Sequence, residues 1–113
     1  MMMINMTFTK GIGTPTSMAP EMLKKDKYVK SSDMYSFAVT MFEVFGWKEA
    51  YPINTFKFPW KIAEFVIAGK RPNGDNILEL LFNIIKTCWN QKPKERKTVE
   101  NVVDSLQNYY EKL

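Results

Sequence analysis

The chain has 113 residues, 45% of them hydrophobic and 25% charged, with a formal net charge of +4, one cysteine and no histidine. That length allows a single domain, and the composition, which includes eight Phe, five Tyr and three Trp, excludes a disordered chain. Without histidine the ordinary zinc ligand sets cannot be assembled, and a serine or cysteine nucleophile has no imidazole base.

The leading residues, MMMINMTFTKGIG, lack the basic and continuous apolar regions of a signal peptide. No run of about 18 apolar residues occurs anywhere, so no membrane span is expected. Together with the lone Cys88, which excludes an internal disulfide, this predicts a reducing, cytoplasmic location. GTPTSMAPEML, from Gly13 to Leu23, places two prolines and a hydroxyl cluster ahead of the first strongly helical stretch. Lys24, Lys25, Lys27 and Lys30 follow, and a second basic group stands at Lys92, Lys94, Arg96 and Lys97. Both are interspersed with acids and carry no interleaved aromatics, so they read as solvated faces and no nucleic-acid partner is expected.

Ser31 or Ser32 can cap a helix over DMYSFAVTMFEVFG, with Gly46 suited to its C-terminal end. Met34, Phe37, Met41 and Phe45 mark one apolar face, which Ala38, Val39 and Phe42 widen until the helix is buried on most sides. EAYPINTFKFPWK, with Pro52 and Pro59, reads as a loop. Trp60, Ile62, Phe65 and Val66 then suit a short amphipathic helix closed by Gly69 and Pro72. Asn76 and Glu79 offer a capping box for ILELLFNIIKTCW, in which Ile77, Leu81, Ile84, Ile85 and Cys88 recur at helical spacing. From Thr98 to about Tyr110 a last helix carries Val99, Val102, Val103, Leu106 and Tyr110 on its apolar side. No stretch sustains strand alternation, so the fold class is all-α, a helical bundle around a buried central helix. Trp60 and Trp89 are expected to be core or partner-facing anchors.

The order of four segments carries more information than any one of them. GTPTSMAPE, KSSDMYSFAVTMFEVFGWKEAYP, IAGKRP and CWNQKPKERKTVENVVDSL, in that sequence and at compatible spacings, resemble the last part of a eukaryotic protein kinase catalytic domain over about residues 5 to 113. Cys88-Trp89 ahead of Pro93 and Arg96 resembles tyrosine kinases and the tyrosine-kinase-like group, whereas Gly13-Thr14 is more like serine/threonine-specific members. The resemblance implies an incomplete kinase-like large lobe, with residues 1–24 as the distal activation segment and substrate-facing loop and 25–113 as its helical part.

On that likeness Thr14, Pro15, Ser17 and Met18 belong to the loop that faces the substrate, and Thr7 and Thr9 lie where such kinases are switched by phosphorylation. A plain reading of Thr7 and Thr9 as polar loop residues stays open. Glu21 resembles the glutamate that forms a buried structural ion pair with the arginine matched here by Arg96. Without the likeness both would read as surface charges. Asp33 resembles the aspartate that supports the catalytic loop, and by local physics alone it is an acid placed favourably at a helix start.

Three positions depart from the family pattern: Ser17 stands in place of an aromatic residue, Ala38 in place of a glycine, and Lys97 in place of a proline. The larger departure is that the 113 residues hold no His-Arg-Asp, no Asp-Phe-Gly and no glycine-rich phosphate loop followed by a lysine. ATP and magnesium, which serve the complete family domain, therefore have no cofactor site here, and catalytic and metal-binding residues are expected to be absent. Three readings remain: part of a protein kinase that is inactive alone, a non-catalytic protein-interaction module, or a non-functional remnant. Partners are expected to be a protein substrate or a regulatory protein, with self-association through an exposed apolar patch around Met34 to Phe45.

Overall fold

A computed structural model describes residues 17–25 and 29–112. Among these residues there are six α-helices, one 3₁₀ turn and no strand. They are α1 (Pro20–Leu23), α2 (Ser31–Gly46), α3 (Ile53–Phe56), α4 (Pro59–Ile67), α5 (Glu79–Cys88), the 3₁₀ turn Pro93–Glu95, and α6 (Val99–Glu111).

α2 is the central element. It packs most extensively on α5 and also meets the 3₁₀ turn, while α1 lies against α4 and α6 against α5. Tyr35, Ala38, Val39 and Phe42 on α2 join Val66, Ile85, Cys88 and Trp89 in one core. The Phe42 ring lies 5.7 Å from that of Trp89 and 6.4 Å from that of Phe82. A second aromatic group sits beside it, with Phe56 and Phe65 edge-on at 5.1 Å and Tyr51 edge-on to both. Edge-to-face contacts of this kind add about 0.5–1.5 kcal/mol each beyond simple burial.

The apolar patch expected around Met34 to Phe45 is mostly covered by this packing. Met34 and Met41 are buried along with Phe42, and what α2 leaves to solvent is the strip of Phe37, Val44 and the following Trp47. α5 and the 3₁₀ turn both pack against α2.

Prolines begin helices here. Pro20, Pro59 and Pro93 occupy first-turn positions, where the missing N–H is no loss. Pro52 precedes α3, and its carbonyl accepts from the amides of Thr55 and Phe56. The expected loop thus contains a full helical turn at α3. α4 ends with Gly69 at φ 89°, where the Gly69 amide donates to Val66 O and the Lys70 amide to Phe65 O, the paired bonds of a Schellman ending.

Three capping expectations resolve differently. Gly46 stays helical, at a place where a Cβ would stand 3.2 Å from Asn76 Nδ2, and the left-handed residue is Trp47 at φ 55°. Asn76 does not cap α5: its side-chain amide donates to Gly46 O at 2.5 Å, tying the end of α2 to the segment before α5. Neither Ser31 nor Ser32 caps α2; the Ser32 hydroxyl is committed to Glu21. Thr98 does cap α6, its Oγ1 accepting from the Asn101 amide at 3.2 Å. On α6 only Val102 is fully buried, whereas Val99, Val103 and Tyr110 face solvent. The apolar arc is wider than the contact with α5, which covers the edge made by Val102 and Leu106.

Candidate functional site

The site is a carboxylate and a guanidinium separated by 75 residues. Glu21 lies in the first turn of α1, immediately after Pro20 at a first-turn position, and Arg96 follows the 3₁₀ turn in extended backbone. Arg96 Nη1 donates to Glu21 Oε2 at 2.7 Å and Nη2 donates to Oε1 at 2.8 Å, a two-pronged fit of planar fork to carboxylate. The Arg96 side chain is 0% exposed and that of Glu21 10%. Arg96 spends its other donors on backbone, Nε on Asn90 O at 2.8 Å and Nη1 on Ser31 O at 3.0 Å. Ser32 Oγ adds a third donor to Glu21 Oε2 at 2.6 Å.

Burial by itself would push the Glu21 carboxyl up, but the hydrogen bonds from Arg96, Ser32 and the backbone, with the positive charge of Arg96, outweigh it and hold the carboxyl below its ordinary value. The pair is therefore a charged, desolvated tie between the leading segment and the last third of the chain.

One helical turn further along α2, Ser36 Oγ donates to Ser17 O at 2.6 Å. Ser32 and Ser36, four residues apart on an otherwise apolar face, thus form two rungs that lay residues 17–21 along α2. Within this segment Ala19 and Pro20 are buried, and Ser17 and Met18 are half-buried. Thr14, Pro15, Thr7 and Thr9 lie outside the described residues. Asp33 stands in the first turn of α2 and lines a cavity of about 330 Å³ together with Lys30, Met34, Arg96, Lys97 and Glu100.

The two serine rungs escaped the sequence reading, although a signal existed: small hydroxyls four residues apart in an apolar helix need buried partners. Arg71 escaped it as well. Its Nε donates to Trp89 O at 3.0 Å, and its Nη2 to Gln91 Oε1 at 2.5 Å. Of the two tryptophans held as anchors, Trp89 is core, while Trp60 is exposed and stacks on Phe58 at 4.4 Å.

Among the described residues no three acidic, cysteine or histidine side chains gather as a metal site. Cys88 is buried, and burial pushes its thiol up, away from nucleophilic character. No helix among the described residues is long and apolar enough to cross a membrane.

A buried central helix, a leading segment fixed to it by hydroxyls, and a long-range ion pair closing on the residues before the last helix agree with the kinase-like large lobe that the sequence resemblance implies. Residues 6–106 match the family model described as protein tyrosine and serine/threonine kinase. The chain belongs to this protein kinase family and is a portion of its catalytic domain. It is similar to an RGS domain-containing serine/threonine-protein kinase of Dictyostelium discoideum, 36% identical over 88% of the chain and 9% of that protein. A probable LIM domain-containing serine/threonine-protein kinase of the same organism is 33% identical over 93% of the chain and 16% of its length. A dual specificity protein kinase, also from Dictyostelium discoideum, is 33% identical over 84% of the chain and 18% of its length. The chain thus spans less than a fifth of the length of these relatives.

Proposed function

We propose that these 113 residues are the substrate-facing and anchoring portion of a kinase domain whose whole transfers the γ-phosphate of ATP to hydroxyls of proteins. Residues 1–24 form the distal activation segment, and residues 25–113 the helical platform that holds it. The observation that carries this reading is the buried pair of Glu21 and Arg96, because it fixes the segment beside the substrate loop to the platform with geometry that water cannot compete for. Serine and threonine are favoured as acceptors by the names of most relatives and by the likeness at Thr14, with tyrosine added for the dual specificity relative. Thr7 and Thr9 are the candidate switch positions, Asp33 the support of the catalytic loop, and the cytoplasm the location that the single buried cysteine favours.

The residues present do not suit ATP and magnesium. No His-Arg-Asp, Asp-Phe-Gly or glycine-rich loop occurs in the sequence, and the acidic side chains of the described residues do not converge. We therefore infer that the 113 residues alone neither bind ATP in the kinase manner nor transfer phosphate. A second reading, a protein-docking module, draws support from the exposed, parallel-stacked Phe58 and Trp60 at the start of α4. The test is titration of the purified chain with magnesium-ATP by calorimetry, alongside a radiolabelled-phosphate assay on a mixed Ser/Thr/Tyr protein substrate. Neither heat nor label is expected, and substrate labelling by the purified chain would overturn the reading.

A further inference from the structure

A cleft of about 410 Å³ lies between α3 and α4. Its apolar lining is Phe56 and Phe65, both half-buried and edge-on to one another at 5.1 Å, with the buried ring of Tyr51 edge-on to both. Lys61 and Lys70 line it as well, and both are exposed. Glu64 is the one acid in the lining. It stands 3.7 Å from Lys61, and an exposed pair of that length contributes little. Lys70 makes no ion pair among the described residues. Across residues 55–70 three lysines, Lys57, Lys61 and Lys70, stand against this single glutamate, a net charge of +2. At the start of α4 the rings of Phe58 and Trp60 stack at 4.4 Å while staying 47% and 56% exposed. Ile67, seven residues beyond Trp60 and so on the same face of the helix, is exposed too. An apolar surface of this kind, bordered by charges of one sign, marks an interaction site.

We propose that the cleft between α3 and α4, together with the Phe58–Trp60 stack, docks an acidic peptide segment of a partner protein. A phenylalanine or leucine of that segment enters between Phe56 and Phe65, and carboxylates on either side of it meet Lys61 and Lys70. The charge pattern selects this partner: an apolar hollow rimmed by cations is complemented by an apolar side chain flanked by anions. An anionic lipid surface also attracts lysine and tryptophan. A bilayer, however, lies across a concave site without filling it, so the cleft favours the peptide. The proposal rests on the docking reading given above and names its partner, and it holds whether or not the chain transfers phosphate.

Calorimetry on the whole chain, with a capped heptapeptide of glutamates around one central phenylalanine, tests it. The peptide is expected to bind, and to bind at least about tenfold more weakly with alanine at its centre or with glutamines for its glutamates. Affinity is expected to fall as ionic strength rises from about 0.05 M to about 0.5 M. Lys61→Glu combined with Lys70→Glu is expected to weaken binding at least about tenfold, and Ala68→Trp, at an exposed position that lines the cleft, to do the same by filling it. Lys112→Glu, an equal kind of charge reversal on α6, is expected to change affinity less than about twofold. The indole N–H resonance of Trp60 is expected to shift as the peptide is added. Equal binding of the glutamine peptide overturns the acidic partner but leaves the docking reading standing. No binding by a chain that melts cooperatively, or binding indifferent to Ala68→Trp and to the double reversal, overturns the proposal. Co-sedimentation with phosphatidylcholine–phosphatidylserine vesicles in the absence of peptide binding overturns it as well, and assigns the surface to a membrane.

Discussion

Replacing Arg96 by methionine leaves the Glu21 carboxylate, 10% exposed, with the Ser32 hydroxyl as its remaining side-chain donor. Breaking one side of a buried ion pair costs about 3–5 kcal/mol, because the surviving charge keeps its desolvation and loses its partner. The backbone bonds to Asn90 O and Ser31 O are lost as well, at about 1 kcal/mol each. Together these losses come to about 5–7 kcal/mol against a total stability of about 5–15 kcal/mol for a domain, so the variant should melt at least about 20 °C lower, followed by circular dichroism at neutral pH.

The pH dependence separates the carboxylate from the other losses. In the parent chain the carboxyl of Glu21 is held below its ordinary value of 4.5, so its contribution is present above that value and is lost as pH falls through the lower folded value. Without Arg96 the balance tips to burial, the folded value rises above the unfolded one, and the sign reverses. Arg96→Met should therefore gain stability as pH is lowered from 7 toward 5, where the parent changes little from this group. Glu21→Leu combined with Arg96→Met should recover most of the loss. A melt within about 1 kcal/mol of the parent at pH 7, or an identical deficit at pH 7 and pH 5, would refute the reasoning.

Gly74→Ala places a Cβ onto the Phe82 ring, and the overpacking should cost about 1–3 kcal/mol in chemical denaturation; an unchanged midpoint would contradict the close approach. Trp47→Gly should stabilise by about 1 kcal/mol, since the left-handed backbone suits glycine and the lost ring is 93% exposed. A lower midpoint would show that the ring is held by something else. Cys88 should react with a thiol reagent at the rate of opening of the fold, at least about a hundredfold slower than in denaturant, because the thiol is buried and its ionisation is suppressed.

The helices were readable in the sequence because their apolar spacing is strong, and the burial of α2 followed from how few charges it carries. The Glu21–Arg96 pair was reached by likeness alone, since nothing local in either sequence neighbourhood points across 75 residues. The helix ends were read least well, for a physical reason: capping side chains are chosen by tertiary partners as much as by the local turn. Asn76 turns to Gly46 O, and Ser32 to Glu21, because each finds there a partner that a cap would have left wanting. The outer edge of α6 misled in the opposite way. Val99 and Val103 fit a helical stripe, but α5 is too narrow a platform to cover both edges of it.

The long separation within the ion pair bears on how the chain is made. A ribosome adding roughly 5–20 residues per second extends the chain past Glu21 some 4–15 seconds before it reaches Arg96. For that interval α1 has no latch, and its carboxylate stays in water. Residues 17–21 are thus synthesised before the helices that hold them and fastened after them, which places their final docking late in the assembly of this part of the chain.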